Sequence, residues 1–447
     1  MTPATSIRRR VYVTGIGAVT ALGLSEAALW HGCMEAADLS MPIPDSWAAY
    51  YSSRSKTWAP LPSIDWGSQG FSRSEQLTHN HPTLLALTAA REARSMANWQ
   101  KHTAGDPYRS GTFVGTGLGS ARAPFDNYRA HLLGHTRNDL MAINQDPTYK
   151  GKLRHLLDDL SLHPRVNPLV ICQTMPNAVA AALSIDSGAQ GTCETLCYAC
   201  ASGTVAIGNA YRAVASGALE SATAVGVEHL SDSAGGVFMG FDRLQTLATP
   251  RTPSGTENRP FDRERTGFLF SEGGAGALFI ESEEQVRRKA TTPLAEICGF
   301  AQTADARSMV AISTDTGAQS AMYRMLLQDA ALTPRDIDYI NSHGTGTLMN
   351  DEIESGLIEA FFGTRTAVNS TKSILGHSVG ASGALEAVVT VRSILNQQLH
   401  PSRNLQNPIS DLCFVREPRS ARIRYALTQS FGFGGHNAAL ILGEAKI

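Results

Sequence analysis

The stretch Cys197-Tyr198-Ala199-Cys200-Ala201-Ser202-Gly203 joins two segments of different character. Before it, Gly191-Thr192-Cys193-Glu194-Thr195-Leu196 reads as a strand. After it, Thr204-Val205-Ala206-Ile207-Gly208-Asn209-Ala210-Tyr211-Arg212-Ala213-Val214 reads as a helix that is apolar on most faces and therefore buried. A strand turning into a buried helix puts Cys200 at a helix N-terminus, where unpaired backbone N–H groups and the dipole favour a thiolate. Such a place lowers a cysteine pKa from about 8.5 into the range of roughly 3.5–7.5. Ala199, Ala201 and Gly203 allow a sharp turn and a close approach to the sulfur. This is the pattern of a nucleophile elbow with sulfur in place of a serine oxygen. Two other readings compete with it. One is a buried structural cysteine. The other is a metal site, because Cys193, Cys197 and Cys200 have the spacing C-x3-C-x2-C of three iron–sulfur ligands. Such ligands usually sit on an open loop, whereas these run through an apolar strand into a helix.

Composition bounds the rest. With 447 residues, 43% hydrophobic and 17% charged, the chain has ample material for a core and for two or three units, or one large double domain. A formal net charge of -2 argues against nucleic acid or an anionic membrane as partner. Seven cysteines without a secreted-scaffold spacing indicate a reducing compartment. Arg8-Arg9-Arg10 is followed by Val11-Tyr12-Val13-Thr14-Gly15-Ile16-Gly17, a short strand and not a signal core, and no stretch has the roughly 18 apolar residues of a membrane span. The expectation is a cytoplasmic protein.

Val11 to Val19 reads as a first strand, Pro82 to Met96 as a core helix, and 41–72 as a surface excursion. Residues 131–166 read as an inserted loop with a short helix. Ala222 to Glu228 and Gly273 to Glu281 are strands, and the charged segment Ser282 to Thr291 is a seam between halves. The second half repeats the scheme. Ile337 to His343 is a strand ending in Gly344-Thr345-Gly346-Thr347, Ala367 to Ser370 is another, and Gly380 to Leu395 is a small-residue helix like the one after Cys200. Ile423 to Ser430 and Ala438 to Leu442 are strands flanking Phe431-Gly432-Phe433-Gly434-Gly435. Alternating strands and helices in two similar halves, 1–285 and 286–447, predict an α/β fold whose sheets are buried between helical layers. Of the 13 histidines, His343 and His377 stand out: each lies just past a strand end, wrapped in Gly, Ser and Thr, where scaffolds place catalytic groups.

Taken together, Ala199-Cys200-Ala201-Ser202-Gly203, His343-Gly344-Thr345-Gly346-Thr347, Ser370-Thr371-Lys372-Ser373-Ile374-Leu375-Gly376-His377 and Ser430-Phe431-Gly432-Phe433-Gly434-Gly435 resemble the motifs of the elongating β-ketoacyl-[acyl carrier protein] synthases, nearest the synthase II branch. Val13-Thr14-Gly15-Ile16-Gly17 and Arg259-Pro260-Phe261-Asp262 agree, and all motifs stand in family order over nearly the whole chain. The resemblance implies the thiolase fold, two similar halves in a layered α-β-α-β-α sandwich. It implies that Cys200 takes an acyl group from a carrier protein as a thioester, and that His343 and His377 handle the malonyl unit. Backbone N–H groups of Cys200 and Phe433 would hold the oxyanion, Phe433 would also be a gate beside Phe431, and Thr345 and Thr347 would bond the phosphopantetheine arm. Lys372 would support the site electrostatically, with Glu354 as its partner carboxylate. No metal or organic cofactor is implied beyond the carrier's pantetheine. The family is dimeric, so a dimer is expected: a homodimer, or a heterodimer with a chain-length partner subunit, in which Cys200 marks this chain as the catalytic one.

Some positions depart from the pattern. Tyr198 replaces a small or hydroxyl residue, Ser72 to Thr78 lacks the usual basic run, although Arg165 is placed as one docking cation, and residues 307–316 lack the usual His and Pro pattern of the acyl-pocket loop. These departures make a specialised polyketide or polyene pathway as plausible as fatty-acid synthesis. The alternatives carried forward are a degradative thiolase, which has a second late cysteine where this chain has Phe431 to Gly435, a non-catalytic acyl-binding protein, and the iron–sulfur enzyme.

Overall fold

A computed structural model describes residues 8–48, 51–99, 105–119 and 168–446, with residues 136, 140, 141, 143 and 145 described singly. Nearly all of the insertion expected at 131–166, and Arg165, lie outside the described residues. The strands are β1 (Val11–Val19), β2 (Met41–Pro42), β3 (Thr57–Ala59), β4 (Ser110–Gly115), β5 (Cys193–Leu196), β6 (Ser221–His229), β7 (Phe270–Ser271), β8 (Gly273–Ser282), β9 (Ala295–Ala304), β10 (Tyr339–Asn341), β11 (Ala367–Asn369), β12 (Gln398–Leu399), β13 (Cys413–Phe414), β14 (Arg419–Ser420), β15 (Tyr425–Gly432) and β16 (His436–Gly443). Eleven of them form one hydrogen-bonded sheet in the order β13-β11-β10-β15-β16-β9-β1-β8-β6-β4-β5. The five strands from β1 to β5 in that order belong to the first half and the other six to the second. They meet at only two antiparallel pairs, Tyr12 with Glu296 and Val13 with Ala295.

Helices Ser202–Ala215 and Ser382–Asn396 lie between the two parts of this sheet and share the largest apolar core. A second core lies under helices His81–Met96 and Ala178–Ser187 on the outer face of the first half, and a third under Gly317–Ala330 and Leu348–Phe362 on the second. The order is therefore helix, sheet, helix, sheet, helix, the thiolase layering. With both faces covered, β1, β6 and β8 are buried along their whole length, which explains their continuous apolar or small-residue runs. The two central helices cross where neither has room for a side chain. A Cβ on Gly383 would lie 2.1 Å from Thr204 Oγ1, and one on Gly203 would lie 2.7 Å from Ala384 N. That crossing brings the first turns of both helices together, and those turns carry the site.

The excursion at 41–72 is more than surface. It contributes β2 and β3 to a small sheet with β7, and it buries Trp47, Ala59 and Phe71. Asp242 accepts hydrogen bonds there from Tyr51 Oη at 2.8 Å and Ser55 N at 2.9 Å. Among the described residues no helix is long and apolar enough to cross a membrane.

Candidate active site

Cys200 sits in a tight turn, Ala199–Ala201, that feeds the helix Ser202–Ala215, as the elbow pattern predicts. Ala199 takes a left-handed backbone, φ 49°, a strained conformation held by its surroundings. The turn is closed by Ser202, whose Oγ accepts from Tyr198 N at 2.8 Å and lies 2.7 Å from Ala199 O, to which it donates. The sulfur is buried, 6% exposed for the residue, and lies 3.1 Å from His377 Nε2. Backbone N–H groups of Phe433 and Cys200 itself face it.

The helix terminus does not decide the protonation of this thiol. Burial pushes the Cys200 pKa up to about 11, against the pull of the Lys372 charge and of the two N–H groups. The expected depression is thus outweighed by desolvation. Burial also holds His343 and His377 well below the ordinary histidine value, with the Lys372 charge acting in the same direction, so both rings are neutral near pH 7.

His343 follows β10, and His377 follows the short helix Lys372–Leu375. Their rings are 5.5 Å apart, nearly perpendicular, with Phe431 against His343 and Phe268 against His377. Lys372 Nζ lies 3.1 Å from His343 Nδ1. An ammonium has no lone pair, so Nδ1 must accept and the hydrogen of the neutral ring sits on Nε2. Ser382 Oγ accepts from Ser378 N at 3.0 Å and lies 3.0 Å from His377 Nδ1. With the Oγ hydrogen turned to Nδ1, we assign this ring too the tautomer with its hydrogen on Nε2.

The carboxylate paired with Lys372 is Glu386, not Glu354. Glu386 lies four residues after Ser382 on one helix, so both point at the same loop. Helix Leu348–Phe362 instead folds Glu354 beneath the backbone after β10, where it accepts from His343 N at 2.6 Å, Gly344 N at 2.7 Å and Gln429 Nε2 at 2.6 Å. Burial raises Glu354 and Glu386 each to about 7. Sequence reasoning missed both Glu386 and Ser382. The signal for Ser382 was present, because Ala381-Ser382-Gly383 repeats Ala201-Ser202-Gly203.

Cys200, His343, His377, Thr345, Thr347, Phe431 and Phe433 all line one cavity of about 310 Å³. Thr345 Oγ1 and Thr347 Oγ1 bond each other at 2.9 Å on its wall. Phe433 is half-buried and stacks 6.2 Å from Phe241. The segment with the unusual sequence supplies Val310, Ala311 and Ile312 to the same wall, and Met309 O accepts from Gly434 N at 2.9 Å. The three cysteines of the cluster reading point apart: Cys193 toward Ser184, Cys197 Sγ to Gly117 O at 3.3 Å, and Cys200 to His377. Among the described residues no three His, Cys, Asp or Glu side chains form a metal-binding group.

Comparison with known proteins places the whole chain in one family. Residues 8–285 match the family described as "Beta-ketoacyl synthase, N-terminal domain" and residues 294–406 match "Beta-ketoacyl synthase, C-terminal domain". The chain is 31% identical to a 3-oxoacyl-[acyl-carrier-protein] synthase 2 of Rhizobium meliloti over 97% of this chain and 98% of the relative. It is 40% identical to the Mycobacterium bovis protein of that name over 62% of this chain and 67% of the relative. Among solved structures, a beta-ketoacyl synthase from Burkholderia phymatum superposes with a TM-score of 0.83 at 28% identity, covering 98% of this chain and 100% of that one. The ishigamide ketosynthase/chain length factor superposes at 0.82 with 25% identity and the same coverage. With both family domains matched in order and a relative followed almost end to end, the chain belongs to the beta-ketoacyl synthase family.

Proposed function

We propose that this chain condenses an acyl group held on Cys200 with a malonyl unit delivered by an acyl carrier protein, with loss of carbon dioxide, in type II fatty-acid or polyketide synthesis. The observation that carries this reading is a pair of buried imidazoles in one cavity with a buried cysteine, the Nδ1 of one beside Lys372 Nζ and of the other beside Ser382 Oγ, with His377 Nε2 3.1 Å from Cys200 Sγ. In the first half-reaction Cys200 Sγ attacks the acyl thioester. The C–S bond to pantetheine breaks, and the departing sulfur leaves with the thiol proton. The oxyanion lies against the N–H groups of Cys200 and Phe433, each such donor being worth about 2.7–4 kcal/mol of barrier. In the second half-reaction the malonyl carboxylate leaves as carbon dioxide. The electron pair left behind forms an enolate whose oxygen is held by the Nε2–H groups of His343 and His377. The enolate carbon attacks the acyl-Cys200 carbonyl, the C–S bond breaks, and the Cys200 thiolate takes up a proton from solvent.

Lys372, paired with Glu386, keeps the His343 tautomer, Thr345 and Thr347 meet the pantetheine arm, and Phe433 gates access between the half-reactions. No cofactor beyond the pantetheine is required. The same reading includes a cytoplasmic location, a division into halves near 285/286, and a dimer, either of two copies or with a chain-length partner. The relative named "ketosynthase/chain length factor" supports the second form.

The test is intact-mass analysis of the protein mixed with acyl-loaded carrier protein, beside Cys200→Ala. The expected result is a mass gain equal to the acyl group, mapped to Cys200 and absent from the variant. No gain at any chain length, with or without a candidate partner subunit, would overturn the reading.

A further inference from the structure

The buried acid Glu228 has no part in the mechanism above, yet it lies where the two halves of the site meet. We infer that Glu228 is a positioning residue that ties the segment carrying Cys200 to the segment carrying His377 and so sets their separation. It sits on β6, fully buried. Its Oε1 accepts from Thr116 Oγ1 at 3.0 Å and Leu118 N at 3.1 Å, and its Oε2 from Gly117 N at 2.6 Å and Gly380 N at 3.1 Å.

Each of these partners leads to a reacting group. Ser202 Oγ lies 3.2 Å from Thr116 O, and Cys197 Sγ donates to Gly117 O at 3.3 Å, so residues 116–118 hold both sides of the Cys200 turn. Gly380 lies between His377 and Ser382, the serine that orients His377. The carboxylate therefore closes a loop from Cys200 through 116–118 to Gly380 and His377. Both glycines make room for it: a Cβ on Gly117 would be 2.9 Å, and one on Gly380 2.6 Å, from Glu228 Oε2.

The four donors fill both oxygens, an arrangement that a carboxylate accepts and an amide cannot. No cation is among these four partners, so the charge is carried by N–H and O–H donors alone. Burial pushes the carboxyl up to about 7, with the same four donors pulling it down. A buried acid is a costly way to join two loops. A role in fixing the reacting atoms accounts for its presence.

The inference rests on Cys200 and His377 acting as a pair, and its test needs no acyl substrate. The full chain is alkylated with iodoacetamide and the adduct at Cys200 followed by mass, for the native protein, Glu228→Gln, His377→Ala and the double variant. Glu228→Gln is expected to slow alkylation about tenfold, a change of about 1.4 kcal/mol in barrier, and to have less than about a twofold effect once His377 is absent. Equal slowing in both backgrounds, or none in the native one, would overturn the positioning role. If His377→Ala leaves alkylation unchanged, the pairing itself falls and the inference with it, whereas the acyl-transfer test above stands separately. Glu228→Asp, which keeps the charge and shortens the reach, is read in the same way if Glu228→Gln does not fold. If neither variant keeps the native unfolding transition, Glu228 is a scaffold residue and the inference fails.

Discussion

The turn before helix Ser202–Ala215 and the turn before helix Ser382–Asn396 are the same device built twice. Ala199 and Val379 both take left-handed backbone, φ 49° and 45°. Ala201 N donates to Tyr198 O, and Ala381 N donates to Ser378 O. Ser202 Oγ accepts from Tyr198 N, and Ser382 Oγ accepts from Ser378 N. The difference lies in what each turn presents. The first puts Cys200 into the cavity. The second has Gly380 at the matching place and uses the empty space to admit Glu228 and the backbone of Gly117. The first serine returns its hydrogen to the backbone, while the second is free to spend its hydrogen on His377. One elbow has become the nucleophile and the other the mount for the group beside it. Strain at Ala199 and at the β-branched Val379, of order 1–3 kcal/mol each, is the shared cost of pointing that position inward.

The largest expected effect separates the two turns by chemistry. Cys200→Ala should lower condensation by at least about 10⁴-fold, measured as β-ketoacyl product, because the covalent route is gone. Its unfolding free energy should change by no more than about 1 kcal/mol. Next is the protonation of the sulfur. With the thiol pushed up to about 11 and His377 neutral, the thiolate fraction rises about tenfold per pH unit below that value. Iodoacetamide alkylation of Cys200 should therefore climb by about 10³ from pH 6 to pH 9. A plateau beginning near pH 6 would instead indicate a thiolate–imidazolium pair, with the helix terminus winning over burial.

The mirror turn should fail in the opposite way. An added methyl at Gly380 would lie 2.4 Å from Gly117 N and 2.6 Å from Glu228 Oε2, distances at which something must move. Gly380→Ala is expected to destabilise the fold by about 3 kcal/mol, read from the denaturant midpoint. A midpoint within experimental error of the native one would mean that the two turns are not held apart by this packing.

What could be read from the sequence follows the range of the interactions. The strand–elbow–helix around Cys200 and the histidine motifs are local, and each was legible from a few consecutive residues. The layered fold followed from alternating segments. The partners of Lys372 and His377 depend on which face of a later helix meets the loop, and that is fixed by the crossing at Gly203 and Gly383. Glu354 therefore read as the partner of Lys372 although helix Leu348–Phe362 turns it toward the backbone of His343 and Gly344. The helix-terminus argument for Cys200 failed for a related reason. It counts the local dipole but not the apolar wall of Leu230, Phe238, Phe268 and Val379 brought in from four other segments. The 41–72 excursion read as surface because its alternately buried positions, Ser53, Ser55, Thr57 and Ala59, are polar or small and so leave no apolar period in the sequence.

The smallest effect is also the one that divides the shared device most finely. Ser202→Ala and Ser382→Ala each leave a backbone N–H without its acceptor, Tyr198 N in one case and Ser378 N in the other. Each should cost about 1–3 kcal/mol of stability, and the two losses should agree within about 1 kcal/mol if the turns are equivalent as structure. Their chemistry should not agree. Without Ser382 the His377 ring loses the donor that keeps its hydrogen on Nε2, so carbon dioxide release from malonyl-carrier protein should fall about tenfold, equivalent to about 1.4 kcal/mol. Ser202→Ala leaves that donor in place and should change the release by less than about twofold. Equal losses of carbon dioxide release would mean that Ser382 acts only as a turn residue, like its counterpart, and that His377 is oriented by something other than the second elbow.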